Sequence, residues 1–106
     1  MKKTYHKLVR DKIPDIISEK GDVPVTRILD DDEYFHALHA KLQEEVGEYL
    51  DGFCVEELAD ILEVIRAIIA HKKLTYDEVE QIRKNKHRER GGFLEKISLV
   101  EVECKE

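Results

Sequence analysis

The stretch that decides the fold is Lys41–Ile65, KLQEEVGEYLDGFCVEELADILEVI. It reads as two helical segments separated by a short turn around Asp51–Gly52. Each segment carries two carboxylates at i,i+3 spacing: Glu45 and Glu48, then Glu57 and Asp60. At about 100° per residue, Phe35, Leu38, Leu42, Val46 and Tyr49 fall on one face of the first helix. Glu45 lies inside that stripe, about 20° from Leu38, and Glu48 sits at its edge. The second helix has a wide apolar face of Leu58, Ile61, Leu62, Val64, Ile65, Ile68 and Ile69. Glu57 projects between Val64 and Ile68, and Asp60 lies just outside them. A short turn makes such helices antiparallel neighbours, so the apolar faces meet and the four carboxylates converge near the turn.

Buried, unpaired carboxylates are costly and either take up protons or demand cations. A divalent ion shared among Glu45, Glu48, Glu57 and Asp60 removes that cost. All four donors are oxygens, which favours a hard ion, Mg²⁺ or Mn²⁺ before Zn²⁺. One acidic i,i+3 pair on a charged helix is ordinarily a solvated face. Two such pairs that intrude on apolar stripes and face each other favour a shared site over a solvated face.

Composition bounds the rest. The chain has 106 residues, 42% of them apolar and 40% charged, with two prolines. That fits a single all-α globular domain over residues 1–106. No apolar run reaches bilayer-spanning length, and MKKTYHKLVRDKIP lacks the apolar core of a signal peptide. Cys54 and Cys104 lie far apart with no CxxC spacing, so each reads as a buried or incidental thiol in a reducing cytoplasm. A net charge of −6 argues against a general nucleic-acid binder.

The other elements follow from their punctuation. RDKIPDIISEKG predicts a short helix with Pro14 in its first turn and Gly21 as a left-handed stop. Asp30 and Glu33 form a capping box for a helix running to about Leu50, with Leu29 as a staple to Tyr34. A third helix runs from about Val55 to Ala70. Thr75 and Glu78 box a fourth, which Leu74 and Val79 can staple and which ends at Gly91–Gly92. Short extended segments are expected near 23–28 and 97–103, where they could pair as strands.

Several other polar residues carry competing readings. His36 and His39 lie roughly 100–200° around the helix from the acids, so they cannot complete the same site and read as surface histidines. Glu44 either borders the site as a base or is solvated. The run RKNKHRER, Arg83–Arg90, has three readings: a nucleic-acid patch, a solvated face, or an anchor for substrate phosphate. Lys7, Arg10 and Lys12 in KLVRDK invite the same three.

EEVGE followed by EELAD resembles the ExxE…ExxD signature of the MazG-like, all-α nucleoside triphosphate pyrophosphohydrolases. YHKLVRDKIPDII, KLQEEVGEYLDG…EELADILEVI and RKNKHRERGGF are similar, in that order, to a small single-domain branch of this superfamily, labelled phosphoribosyl-ATP pyrophosphohydrolase-like. The resemblance implies a helical bundle completed as a homodimer or homotetramer. It also implies Mg²⁺-dependent release of pyrophosphate from a nucleoside triphosphate, leaving the monophosphate, in a house-cleaning role. On that basis Glu45, Glu48, Glu57 and Asp60 would be metal ligands; Glu44 and Glu45 are the candidate catalytic carboxylates beside them. Lys86 and Arg90 match a K-x-x-x-R helix that binds phosphate, joined by Lys7, Arg10 and Lys12 as substrate contacts. Lys84 stands where many relatives have asparagine, and the gap between the acidic pairs is shorter than in many members. Two alternatives stay open: phosphoribosyl-ATP pyrophosphohydrolase of histidine biosynthesis, and a non-enzymatic helical module that binds metal or a partner.

Overall fold

Three consecutive acids, Asp31 to Glu33, follow the Asp30 cap and place negative charge where a helix N-terminus favours it. In the computed structural model, which describes residues 1–105, this is the start of a long helix. The Asp30 carboxylate accepts from the Glu33 N–H at 2.8 Å, and Glu33 accepts from the Asp30 N–H at 3.2 Å. Four helices form among the described residues: α1 (Ile13–Glu19), α2 (Asp31–Gly52), α3 (Val55–His71) and α4 (Tyr76–Arg90). The fold is all-α. The chain comprises two compact units, Met1–Leu74 and a second that begins at Thr75.

In the first unit α1 contains Pro14 in its opening turn, and Gly21 takes a left-handed φ of 92° just past its end. Helix α2 packs on α3. Tyr34 at the start of α2 meets His71 at the end of α3, edge to face at 5.3 Å, so the two helices run antiparallel. Their buried apolar residues are Leu38, Val64 and Ile69. The turn differs from its sequence reading. Helix α2 continues through Asp51–Gly52, and the left-handed residue is Phe53, with φ 57° and its N–H on the Tyr49 carbonyl. A non-glycine residue there costs roughly 1–2 kcal/mol. The Phe53 ring packs edge to face on Tyr49 at 5.8 Å, which offsets part of that cost.

In the second unit Thr75 and Glu78 form the expected capping box, and α4 stops at Gly91, whose φ is 81°. No residue of α4 is buried. The segments 23–28 and 97–103 are not strands, and no strand occurs among the described residues. Val23, Val25, Ile28, Leu99 and Val100 are exposed, so neither segment has the packed apolar face that stabilises a strand pair. Both cysteines are exposed.

Glu33 has a second partner besides its cap. Arg27 grips its carboxylate in a fork, at 3.1 and 2.6 Å. The Arg27 hydrogen bond first, and the Asp30 backbone second, lower its pKa from the ordinary 4.5 to about 2. A depressed carboxylate pKa adds stability above the unfolded value, which is lost as pH falls through the folded one. The Glu33 carboxyl resonance should therefore titrate near pH 2 in the folded protein, and Arg27→Gln should move it back toward 4.5. Stability should decline between these two pH values more steeply in the parent chain than in the variant.

Candidate metal centre

The amphipathic register of α2 sends Glu45 into the α2–α3 contact, where the residue is only 7% exposed. Across from it α3 presents Glu57 and Asp60, both half-buried. One carboxylate oxygen from each of the three lies within 4.8 Å of the other two. Three of the four expected ligands thus come together. Glu48 does not join them. At the edge of the apolar stripe it is exposed, yet it still feels the cluster. The charge of Glu45 first, then desolvation, raises its pKa above the ordinary carboxylate value.

Cations of the same chain partly neutralise the acids. Lys41 Nζ lies 3.0 Å from Glu44 Oε2 and 3.3 Å from Glu45 Oε1, one turn along α2. Burial works against its ammonium, but the hydrogen bonds to Glu44 and Glu45 outweigh it and raise its pKa. Lys7 reaches the other oxygen of Glu44 at 3.3 Å. The hydrogen bond from Lys41, helped by Lys7, lowers the Glu44 pKa despite some desolvation. Arg10 donates to Asp60 Oδ1 at 2.7 Å and lies 3.9 Å from Glu63. The N-terminal segment is thereby tied to both α2 and α3. Among the described residues one acceptor is left over: Glu45 Oε2 is buried without a hydrogen-bond partner.

That arrangement fits a divalent cation. The donors are all carboxylate oxygens, the set that suits Mg²⁺ or Mn²⁺, and a buried acceptor without a partner is costly unless something positive meets it. Glu44 borders the cluster as an ion-paired group. It is ionised at neutral pH, as a proton acceptor must be, although its lowered pKa makes it a weaker base than an ordinary carboxylate.

The remaining candidates are distributed as follows. Lys12 is the N-cap residue of α1, exposed and, among the described residues, without an ion pair. His36 is exposed beside Asp32 at 3.8 Å. His39 is half-buried rather than on the surface: Nδ1 lies 2.7 Å from the Phe35 carbonyl and its ring packs 4.4 Å from that of Phe35. Neither histidine joins the acids. On α4 two basic residues are engaged within the helix, Arg83 with Glu80 at 2.7 Å and Arg88 with Asn85 at 3.3 Å. Lys86 and Arg90 are exposed on the same helix with no ion pair among the described residues. Lys41 is the site residue that the sequence reading missed. Its signal was the i,i+3 and i,i+4 spacing to Glu44 and Glu45 within KLQEE.

No helix among the described residues is long and apolar enough to cross a membrane. No family model and no solved structure matches the chain. A stretch of 41 residues, 39% of the chain, is 61% identical to an uncharacterized protein of Mycolicibacterium smegmatis (strain ATCC 700084 / mc(2)155). The match spans 42% of that protein's length, so it carries neither a family nor an activity to this chain.

Proposed function

We propose that the protein is a Mg²⁺-dependent nucleoside triphosphate pyrophosphohydrolase of the MazG-like kind, acting in the cytoplasm in a house-cleaning role. The observation that carries this reading is the convergence of Glu45, Glu57 and Asp60 within 4.8 Å, with a buried Glu45 oxygen lacking a partner. The ordered motifs at the N-terminus, in α2–α3 and in α4 support the same reading.

In it Glu45, Glu57 and Asp60 hold the ion, with Glu48 at their border. When bound, a divalent ion neutralises phosphate charge and lowers the pKa of a water. In this reading Glu45 serves the reaction as a ligand of the ion, and Glu44, at the border of the acids, would orient that water and accept its proton. Attack at the α-phosphorus would leave a nucleoside monophosphate and pyrophosphate. Lys7 and Arg10 border the acids through Glu44 and Asp60, where a phosphate would meet them, and Lys12 follows on the same segment. Lys86 and Arg90, which have no ion pair among the described residues, are the phosphate contacts that the K-x-x-x-R resemblance suggests.

A second reading draws on the ion pairs. Lys7, Arg10 and Lys41 already contact Glu44, Asp60 and Glu45, as they would in a helical interaction module without catalysis. The deciding experiment is a screen of standard and modified nucleoside triphosphates for pyrophosphate release, with and without Mg²⁺. Release that requires Mg²⁺ and is lost in Glu57→Gln supports the enzyme, and silence across the screen supports the module. Mg²⁺ should also raise the melting temperature, since it binds only the assembled site. Glu57→Gln should lose that increment while keeping its metal-free fold.

The α4 residues give a separate test. Replacing Lys86 or Arg90 with alanine should lower kcat/KM by about 1–3 kcal/mol, the scale of a charge-assisted hydrogen bond. Arg88→Ala should cost little, because Arg88 is tied to Asn85. Equal small effects at all three positions would mark a solvated face.

The assembly proposed is a homodimer or homotetramer. Val55, Leu58 and Leu62 on α3 and Leu50 on α2 remain exposed, Leu62 to 54%. A second copy covering this row would complete the bundle. Light scattering at micromolar concentration should give a mass two or four times 12.4 kDa, and a monodisperse monomer would overturn the proposal.

A further inference from the structure

Among the cations near the acidic cluster, Lys41 differs from Lys7 and Arg10 in burial. Its side chain is 17% exposed, against 44% for Lys7 and 55% for Arg10. A buried ammonium loses hydration and keeps its charge only where fixed acceptors replace the water. Here they are Glu44 Oε2 at 3.0 Å and Glu45 Oε1 at 3.3 Å, presented one turn away on the same helix. The two glutamates are not left in the same state. Lys7 and Lys41 engage one oxygen each of Glu44, whereas Glu45 has Oε1 on Lys41 and Oε2 buried without a partner. Helical geometry and burial leave the Glu45 carboxylate little freedom to exchange its oxygens.

We infer that Lys41 is a positioning residue: it holds Glu45 by one oxygen so that the other is fixed as a divalent-cation ligand beside Glu57 and Asp60. This inference rests on the metal-binding reading proposed above. Its sign is opposite to that of simple electrostatics. A lysine near a cation site repels the incoming ion, so deleting the charge should tighten binding if repulsion is all it contributes. If Lys41 instead fixes the ligand, its removal frees Glu45 to turn away from the other acids, and binding weakens. Arg10 supplies the contrast. It is a half-exposed counter-ion on Asp60, where water readily replaces a lost hydrogen bond, so its removal shows chiefly the electrostatic effect.

The test is Mn²⁺ binding to the full chain, read from the electron paramagnetic resonance of free Mn²⁺. Lys41→Met keeps the stem without the charge and should weaken binding by about tenfold or more, in the 10–100-fold range of groups that orient metal ligands. Lys41→Arg should restore most of the affinity, and Arg10→Gln should bind Mn²⁺ at least as tightly as the parent chain. Should Lys41→Met not fold, Lys41→Gln makes the same test with the same sign. Unchanged or tighter binding in the Lys41 variant, with the parent chain binding Mn²⁺, overturns the positioning role alone. Absence of Mn²⁺ binding in the parent chain overturns the metal reading and the inference with it.

Discussion

A carboxylate inside the contact between two antiparallel helices sets the terms for the rest of the first unit. Glu45 is as buried as the apolar residues Val64 and Ile69 that share the interface. An isolated ion in such a place is so unfavourable that it is neutralised, paired or bound to a metal. Lys41 pairs with one of its oxygens, while Glu57 and Asp60 add further negative charge from the facing helix. The N-terminal segment, which has no regular structure of its own, is tied down by the same charge through Lys7 and Arg10.

The strength of these ties follows their exposure. Arg10 and Asp60 are both more than a third exposed, and an ion pair in that setting contributes less than about 1 kcal/mol. Such a pair is readily exchanged for a stronger interaction. Lys41 is held more firmly, since water competes poorly for a mostly buried ammonium with two acceptors in reach. A centre built this way combines a fixed edge on α2 with a looser one at the N-terminal segment. Under the proposed function, that combination suits a site that admits a cation and an anionic ligand together.

Apolar cover is the second constraint. Helix α3 spreads its isoleucines, leucines and valines more widely than one neighbouring helix can cover, and α2 covers only the part around Val64 and Ile69. Leu58 and Leu62 stay in solvent. Burying a leucine stabilises a fold by about 1.5–3 kcal/mol. The uncovered row is therefore where further association has most to add.

Much of the fold was legible in local signals. Both capping boxes, the Pro14 and Gly21 punctuation of α1 and the stop at Gly91 are short-range chemistry between residues a few positions apart. The angle between Glu45 and Leu38 placed that acid in the interface for the same reason, since a helix fixes its own faces. The turn at Phe53 was not legible, because Gly52 offered a stronger local signal and the Tyr49–Phe53 packing offset the cost. Nor was the fate of the 23–28 and 97–103 segments, whose β-branched composition found no apolar surface to pack on. The pairing of Arg10 with Asp60 was decided only by the tertiary structure. Which acid meets which cation depends on how two helices and a distant segment approach each other. Spacing along the chain sets a residue's face, but only packing sets what that face meets.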